Sequence, residues 1–278
     1  MNMSVPQSLV MGFVSGLAEM LPISADAHRL ILRTVFGIST EDVLFRLICH
    51  IAVLLILLWE FQPDLRHLSR TSRMMRIPPR KRRRPLDPAA AGTVRLMKSA
   101  LIALLVTRLL VWGLDFIRFR PAYMSVMLAV NGLILLIPAL VPGGDMDSRN
   151  MPRVMGALFG VLSGLGGIPG LSSVGVMLSG AMALAVARSY ALRFAFILLI
   201  PNMILNLLSD AVHLAIEGVP TVTPEAVIVI GAGAAMAAAA AALGIRLMRQ
   251  TAEHRGFDQF AYYCWGAALL CGILFLIV

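Results

Sequence analysis

Ser15-Gly-Leu-Ala-Glu-Met-Leu-Pro-Ile-Ser24 interrupts an apolar run that extends from Pro6 to Phe36. At a rise of about 1.5 Å per residue, each half of that run covers only part of a hydrocarbon core about 30 Å thick. The stretch therefore predicts a helix–break–helix that enters a membrane and returns. Irregular backbone at that depth is tolerated only where protein buries it or a wet cavity lies beside it. A second interrupted run, Met151–Ala187, carries Ser163-Gly-Leu-Gly-Gly-Ile-Pro-Gly-Leu-Ser172 at its break. Both breaks begin Ser-Gly-Leu and place a Ser nine residues later, with the Pro displaced by one. Chance could supply Ser-Gly-Leu alone, but its recurrence on the two broken runs points to an internal repeat.

Six uninterrupted apolar runs fill the rest: Val43–Phe61, Val94–Phe116, Ala122–Val141, Ser189–Val212, Glu225–Met248 and Gln259–Val278. The expected fold is an all-α polytopic membrane protein, with six transmembrane helices plus two re-entrant helical hairpins in an inverted-topology repeat. It forms one integral membrane domain over 1–278, with repeat 1 at about 4–141 and repeat 2 at about 151–278. Composition agrees. Of 278 residues, 59% are hydrophobic and 14% charged, and the mean hydropathy is +0.84. Soluble domains hold roughly 45–50% apolar and about 25% charged residues, and disorder needs low hydrophobicity. Cys49, Cys264 and Cys271 sit in apolar runs and read as small buried hydrophobes, not a disulfide framework. The opening MNMSVPQSLV has no basic n-region, so no cleavable signal peptide is expected.

The net charge of +9 is concentrated, with nine of 24 Lys and Arg between Arg66 and Arg84. Basic residues crowd cytoplasmic loops. Placing the basic loop 62–93 inside also puts Pro142–Arg153, Arg188–Arg193 and Arg246–Arg255 inside, with two, two and three basic residues. The outside receives Phe116–Pro121 with two and His213–Pro224 with none. The two broken runs then enter from opposite sides, the layout that puts sites near the midplane at the repeat interface. Beside a span, Arg80-Lys-Arg-Arg-Arg84 reads as a topology anchor on anionic lipid, and no nucleic-acid partner is expected. Six consecutive Ala from Ala237 read as a close-packing surface.

Chemistry concentrates at the breaks. The first holds Glu19, Ser24, Asp26, His28 and Arg29. Ionisable residues at membrane depth are functional candidates, because each is costly unless paired. The alternative for Asp26 and Arg29 is a solvated interfacial turn. His28 has the ordinary pKa of a general acid or base. The second break is Gly-rich with adjacent hydroxyls, Ser172 and Ser173, behind Gly170. It reads either as an anion cradle of backbone N–H groups or as a helix-packing surface. Asn202, Asn206 and Asp210 recur every four residues, as do Arg46 and His50, so each set shares a helical face. They line a cavity or bond neighbouring helices.

These residues resemble the undecaprenyl-diphosphate phosphatase family, the bacitracin-resistance membrane phosphatases. The firmest points are Gly16-Leu-Ala-Glu-Met-Leu-Pro-Ile-Ser24 through His28, Pro169-Gly-Leu-Ser172 with Gly175, and Arg188 with Phe194-Ala-Phe-Ile-Leu-Leu-Ile-Pro201. The resemblance covers nearly the whole chain and implies hydrolysis of the diphosphate lipid carrier of cell-wall synthesis, in the bacterial plasma (inner) membrane. It also implies a divalent cation, Mg²⁺ or Ca²⁺. Carried over residue by residue, it matches Glu19, Ser24, His28, Gly170 and Ser172 to the family's motifs. The reading of the breaks adds Asp26 as a replacement carboxylate, so that Glu19 and Asp26 hold the cation or activate water and His28 is the general acid or base. Ser24, Arg29, Gly170, Ser172 and Ser173 are expected to bind phosphate, and His50, Asn202, Asn206 and Asp210 to line the cavity. Several motif positions differ. The first Glu of the family's acidic pair falls on Ser15, its phosphate-gripping Arg on Ser173, the next Ser on Val174, and a Gln of the following span on His50. Such losses weaken positioning and charge neutralisation, on which phosphoryl transfer depends. The expected function is therefore a phosphatase-like protein for an isoprenoid diphosphate or phosphate lipid, with hydrolysis kept, weakened or lost. The alternative is a transporter, flippase or non-catalytic binder of the same lipid class. Membrane lipids are expected partners, and a homodimer stays open.

Overall fold

The computed structural model describes residues 3–38, 42–82, 85–116, 121–141, 144–218, 220–254 and 257–277. Most of the expected outer loop Phe116–Pro121, along with Arg83 and Arg84 of the basic run, lies outside them. The described residues form eleven α-helices, in order: α1 Val5–Met20, α2 Ala25–Val35, α3 Val43–Glu60, α4 Gln62–Met75, α5 Pro88–Val111, α6 Pro121–Leu140, α7 Arg153–Leu165, α8 Ser173–Ala183, α9 Arg188–Glu217, α10 Pro224–His254 and α11 Phe257–Ile277. Among the described residues there is no β-strand, only the bridge between Met146 and Val186.

The breaks stop helices for local reasons. Pro22 follows the end of α1, and Ser24 caps α2 with its Oγ accepting from the Ala27 N–H at 3.5 Å. Ser24 holds φ +60°, a region L-residues seldom occupy, so the first turn is strained. The second break turns through Gly170 at φ +95° and restarts at Ser172, whose Oγ accepts from the Gly175 N–H at 3.2 Å. The paired helices α1 and α2 have 16 and 11 residues, and α7 and α8 have 13 and 11. At about 1.5 Å per residue, all fall short of a core about 30 Å thick.

Five described helices are long and apolar enough to cross a bilayer: α3, α6, α9, α10 and α11. The sequence patterning predicts six. The sixth run became α5, but Arg95, Lys98 and Arg108 give its apolar stretch more charge than the cores of the other five. The basic loop contains α4, which turns Leu65 and Leu68 onto the core while Arg66, Arg70 and Arg73 stay outside. At that end Arg249 pairs with Glu60 at 2.6 Å, and Arg193 pairs with Asp64.

Small residues bring helices together. A methyl on Gly12 would lie 2.1 Å from the Gly233 carbonyl oxygen, and one on Gly16 would lie 2.1 Å from that of Ala237, so α1 lies directly on α10. Gly156 and Gly160 meet Leu96 and Ala100 in the same way, setting α7 on α5. Without a hydrophobic force between helices in lipid, such close backbone approach supplies the attraction. The two pairings correspond when α1, α2, α3, α5 and α6 are exchanged for α7, α8, α9, α10 and α11. Under that exchange α6–α8 also corresponds to α11–α2.

Candidate active site

The two breaks are tied together by Asn131 of α6, which is fully buried. Its Nδ2 donates to the Pro22 carbonyl at 2.9 Å, and its Oδ1 accepts from the Ser172 N–H at 3.0 Å. The Ser172 hydroxyl reaches the Leu21 carbonyl at 3.4 Å. Asn131 thus satisfies one backbone group of each break, and the Ser172 side chain satisfies one of the first break.

Beside this junction lies a cavity of about 220 Å³. Glu19, Asp26, Arg29, Arg33, Arg46, His50 and Arg108 line it, with Gly166, Gly167, Ser172, Ser173, Asn206, Asp210 and His213 opposite. A chain of charges crosses its floor. Arg46 donates from Nε to Asp210 Oδ1 at 2.7 Å, and His50 donates from Nδ1 to Asp210 Oδ2 at 2.6 Å. His50 Nε2 then lies 3.4 Å from Glu19 Oε1, in ion-pair range but without hydrogen-bond geometry. Glu19 also accepts from Arg29 at 3.3 Å, and the same guanidinium pairs with Asp26. Carboxylate oxygens thus face both ring nitrogens of His50, which makes the ring a counter-ion between Glu19 and Asp210.

Arg108 comes from α5, a helix no motif singled out. Its side chain is buried, and Nη2 donates to Asn206 Oδ1 at 2.9 Å. A methyl on Gly167 would fall 1.6 Å from Arg108 Nη1, so the guanidinium lies against the second break and a side chain there would displace it. Beside it, Ser173 begins α8, whose first-turn N–H groups favour an anion. Asn202 donates to Ser173 Oγ at 2.7 Å from behind.

Of the residues singled out in the sequence, Glu19, Asp26, Arg29, His50, Ser172, Ser173, Asn206 and Asp210 meet at this cavity. Ser24, His28, Gly170 and Asn202 do not line it. His28 turns to α11 instead. Its Nδ1 is 2.7 Å from the Ser24 carbonyl and its Nε2 is 2.8 Å from the Tyr263 hydroxyl, with the two rings stacked. A carbonyl only accepts, so Nδ1 carries a proton and the Tyr263 O–H donates to Nε2 of the neutral ring. Gly170 packs on Met127. Sequence reasoning missed Arg33, Arg108, His213 and Asn131. For Arg108 the signal existed: a cation deep within the apolar run Leu101–Val111.

The donor set does not fit the divalent cation that the resemblance implies. Glu19 and Asp26 share Arg29 as counter-ion. Among the described residues, no group of three or more His, Cys, Asp or Glu side chains is placed to hold a metal ion. Such ions need several hard oxygen ligands. A divalent ion about 4 Å from a guanidinium meets about 8 kcal/mol of repulsion at an effective dielectric near 20, twice the figure for two unit charges.

Known proteins now bear on this geometry. The family model described as bacitracin resistance protein BacA matches residues 8–270. The chain belongs to this family. It is 24% identical over 273 residues to the undecaprenyl-diphosphatase of Methanobrevibacter smithii, covering 95% of each chain. It is 26% identical over 271 residues to that of Salinibacter ruber, covering 93% of this chain and 95% of the relative. With that of Carboxydothermus hydrogenoformans it shares 29% over 202 residues, covering 71% and 70%. In this BacA-family member, the position expected to carry a phosphate-gripping Arg holds Ser173, and a guanidinium reaches the same break from Arg108.

Proposed function

We propose that this chain is an undecaprenyl-diphosphate phosphatase of the plasma membrane, built from six spans and two re-entrant hairpins in an inverted repeat. The relatives' names supply the substrate, and the mirrored helix pairings support the repeat. The observation that carries the reading is Arg108 packed on Gly167, in one cavity with the Asp210–His50 pair. Four arginines line that cavity against three carboxylates, an excess suited to an anionic headgroup.

The residues divide the work. Arg108, Ser173 and the first turn of α8 grip the terminal phosphate, and Arg29 neutralises charge from the opposite wall. The Glu19 carboxylate takes a proton from a water, whose oxygen attacks the terminal phosphorus. The bridging P–O bond breaks, inorganic phosphate leaves, and the lipid monophosphate keeps the bridging oxygen. Asp210 holds the His50 ring, whose other nitrogen faces Glu19 and keeps that carboxylate in place. The basic α4 end faces the cytoplasm in this reading, by its charge.

The test is phosphate release from undecaprenyl diphosphate by the purified protein, with the lipid monophosphate identified as co-product. The mirrored packing favours a second reading, transport, because inverted broken helices are a transporter layout. Failure to release phosphate, together with movement of labelled carrier lipid across liposomes, would select transport.

A further inference from the structure

We propose that the Arg29 guanidinium occupies the role of the divalent cation at this cavity, so that the chain binds an isoprenoid diphosphate headgroup without a metal ion. The proposal rests on the functional reading above only for the class of ligand. Its basis is the placement of one buried guanidinium between the two carboxylates expected to hold a metal. Nη1 lies 3.3 Å from Glu19 Oε1, and Nη2 pairs with Asp26. Glu19 also lies 3.4 Å from His50 Nε2, so its oxygens face two nitrogen groups already. Asp210, the third carboxylate of the cavity, is held by Arg46 and His50. No carboxylate of the cavity is therefore left uncompensated to attract an ion.

The exchange is chemically coherent. A divalent cation at a diphosphate neutralises charge and orients oxygens. A guanidinium does both through a planar fork of donors, and it is always charged. With Arg29 from α2 and Arg108 from α5 both lining the cavity, the headgroup meets fixed positive charge from two separate helices. Fixed charge needs no recruitment from solution. Affinity should then be indifferent to chelators, whereas a site of bare carboxylates depends on the ion.

The probe is farnesyl diphosphate, binding to the full-length protein in detergent and measured by calorimetry in EDTA and again in excess Mg²⁺. The expected result is a Kd that differs by less than about twofold, since tenfold is the mark of a lost strong contact. In Arg29→Gln, which releases Glu19 and Asp26, binding in EDTA should weaken about tenfold or more and recover when Mg²⁺ is added. Wild-type binding that weakens tenfold or more in EDTA would overturn the proposal, as would absence of binding in both conditions. Phosphate release measured on the same samples separates the two readings. Metal-independent binding without release removes hydrolysis and leaves this proposal standing. Release and binding that both require Mg²⁺ do the reverse.

Discussion

The two breaks share a start, a Pro and a capping Ser, yet they contribute opposite things. The first carries Glu19, Asp26, His28 and Arg29 within eleven residues, while the second carries no charge at all between Ser163 and Ser173. The first break brings side chains to the cavity. The second brings backbone: Gly166 and Gly167 leave room, and α8 begins there. A positive charge reaches it from α5 as Arg108, which lies against Gly167, where there is no side chain. Two turns of similar sequence thus differ in what they bring to one cavity.

Four substitutions sharpen this contrast. His50→Asn should cost most, about 10³ in phosphate release, because it removes the counter-ion that holds Glu19 and Asp210 together. The loss should appear in turnover under saturating lipid. Unchanged turnover would show that the ring takes no part in the reaction. Next is Gly167→Ala, whose methyl would meet Arg108 Nη1 at 1.6 Å and push the guanidinium off the break. Its cost should approach that of losing one charge contact to the transition state, about 10²–10³. Wild-type rates would show that the close approach is irrelevant. Third, Asn131→Ala should lower stability by about 1–3 kcal/mol, because the Ser172 N–H and the Pro22 carbonyl both lose a buried partner. A thermal melt in detergent reads this, and an unchanged midpoint would show that the breaks are not tied through Asn131. The smallest functional effect belongs to His28→Ala. With both ring nitrogens engaged by Ser24 and Tyr263, it should cost about 1 kcal/mol of stability and less than tenfold in rate. A loss of activity as large as that of His50→Asn would return the catalytic role to His28.

Much of the architecture was legible from residue patterns. The two broken runs, the helical spans and the close-packing Ala run each follow from length, hydropathy and small-residue spacing, and α10 packs through Gly233 and Ala237. The sixth expected span folds as α5, whose apolar length was visible together with Arg95, Lys98 and Arg108, charges that set it apart from the five long apolar helices. The cavity was half legible. Glu19, Arg29, His50 and Asp210 were found because charge within apolar sequence demands an explanation. Their order across the floor was not, since α1, α2, α3 and α9 meet only through long-range packing. His28 shows the limit most plainly. It lies two residues from Asp26, which shares Arg29 with Glu19, yet its ring turns to Tyr263, 235 positions along the chain. Motif reasoning assigned phosphate gripping to position 173. The structure offers a guanidinium from position 108, a relocation no single-segment pattern can reveal.

The central claim is that Arg108 does at the second break what an Arg at position 173 would do. The direct test measures phosphate release from undecaprenyl diphosphate by wild type, Arg108→Ala, and Arg108→Ala combined with Ser173→Arg. Arg108→Ala should lower the rate by about 10²–10³, and adding Ser173→Arg should restore at least about a tenth of the wild-type rate, because it returns one guanidinium to the same break. Equal rates for wild type and Arg108→Ala, in protein that remains folded, would contradict the claim.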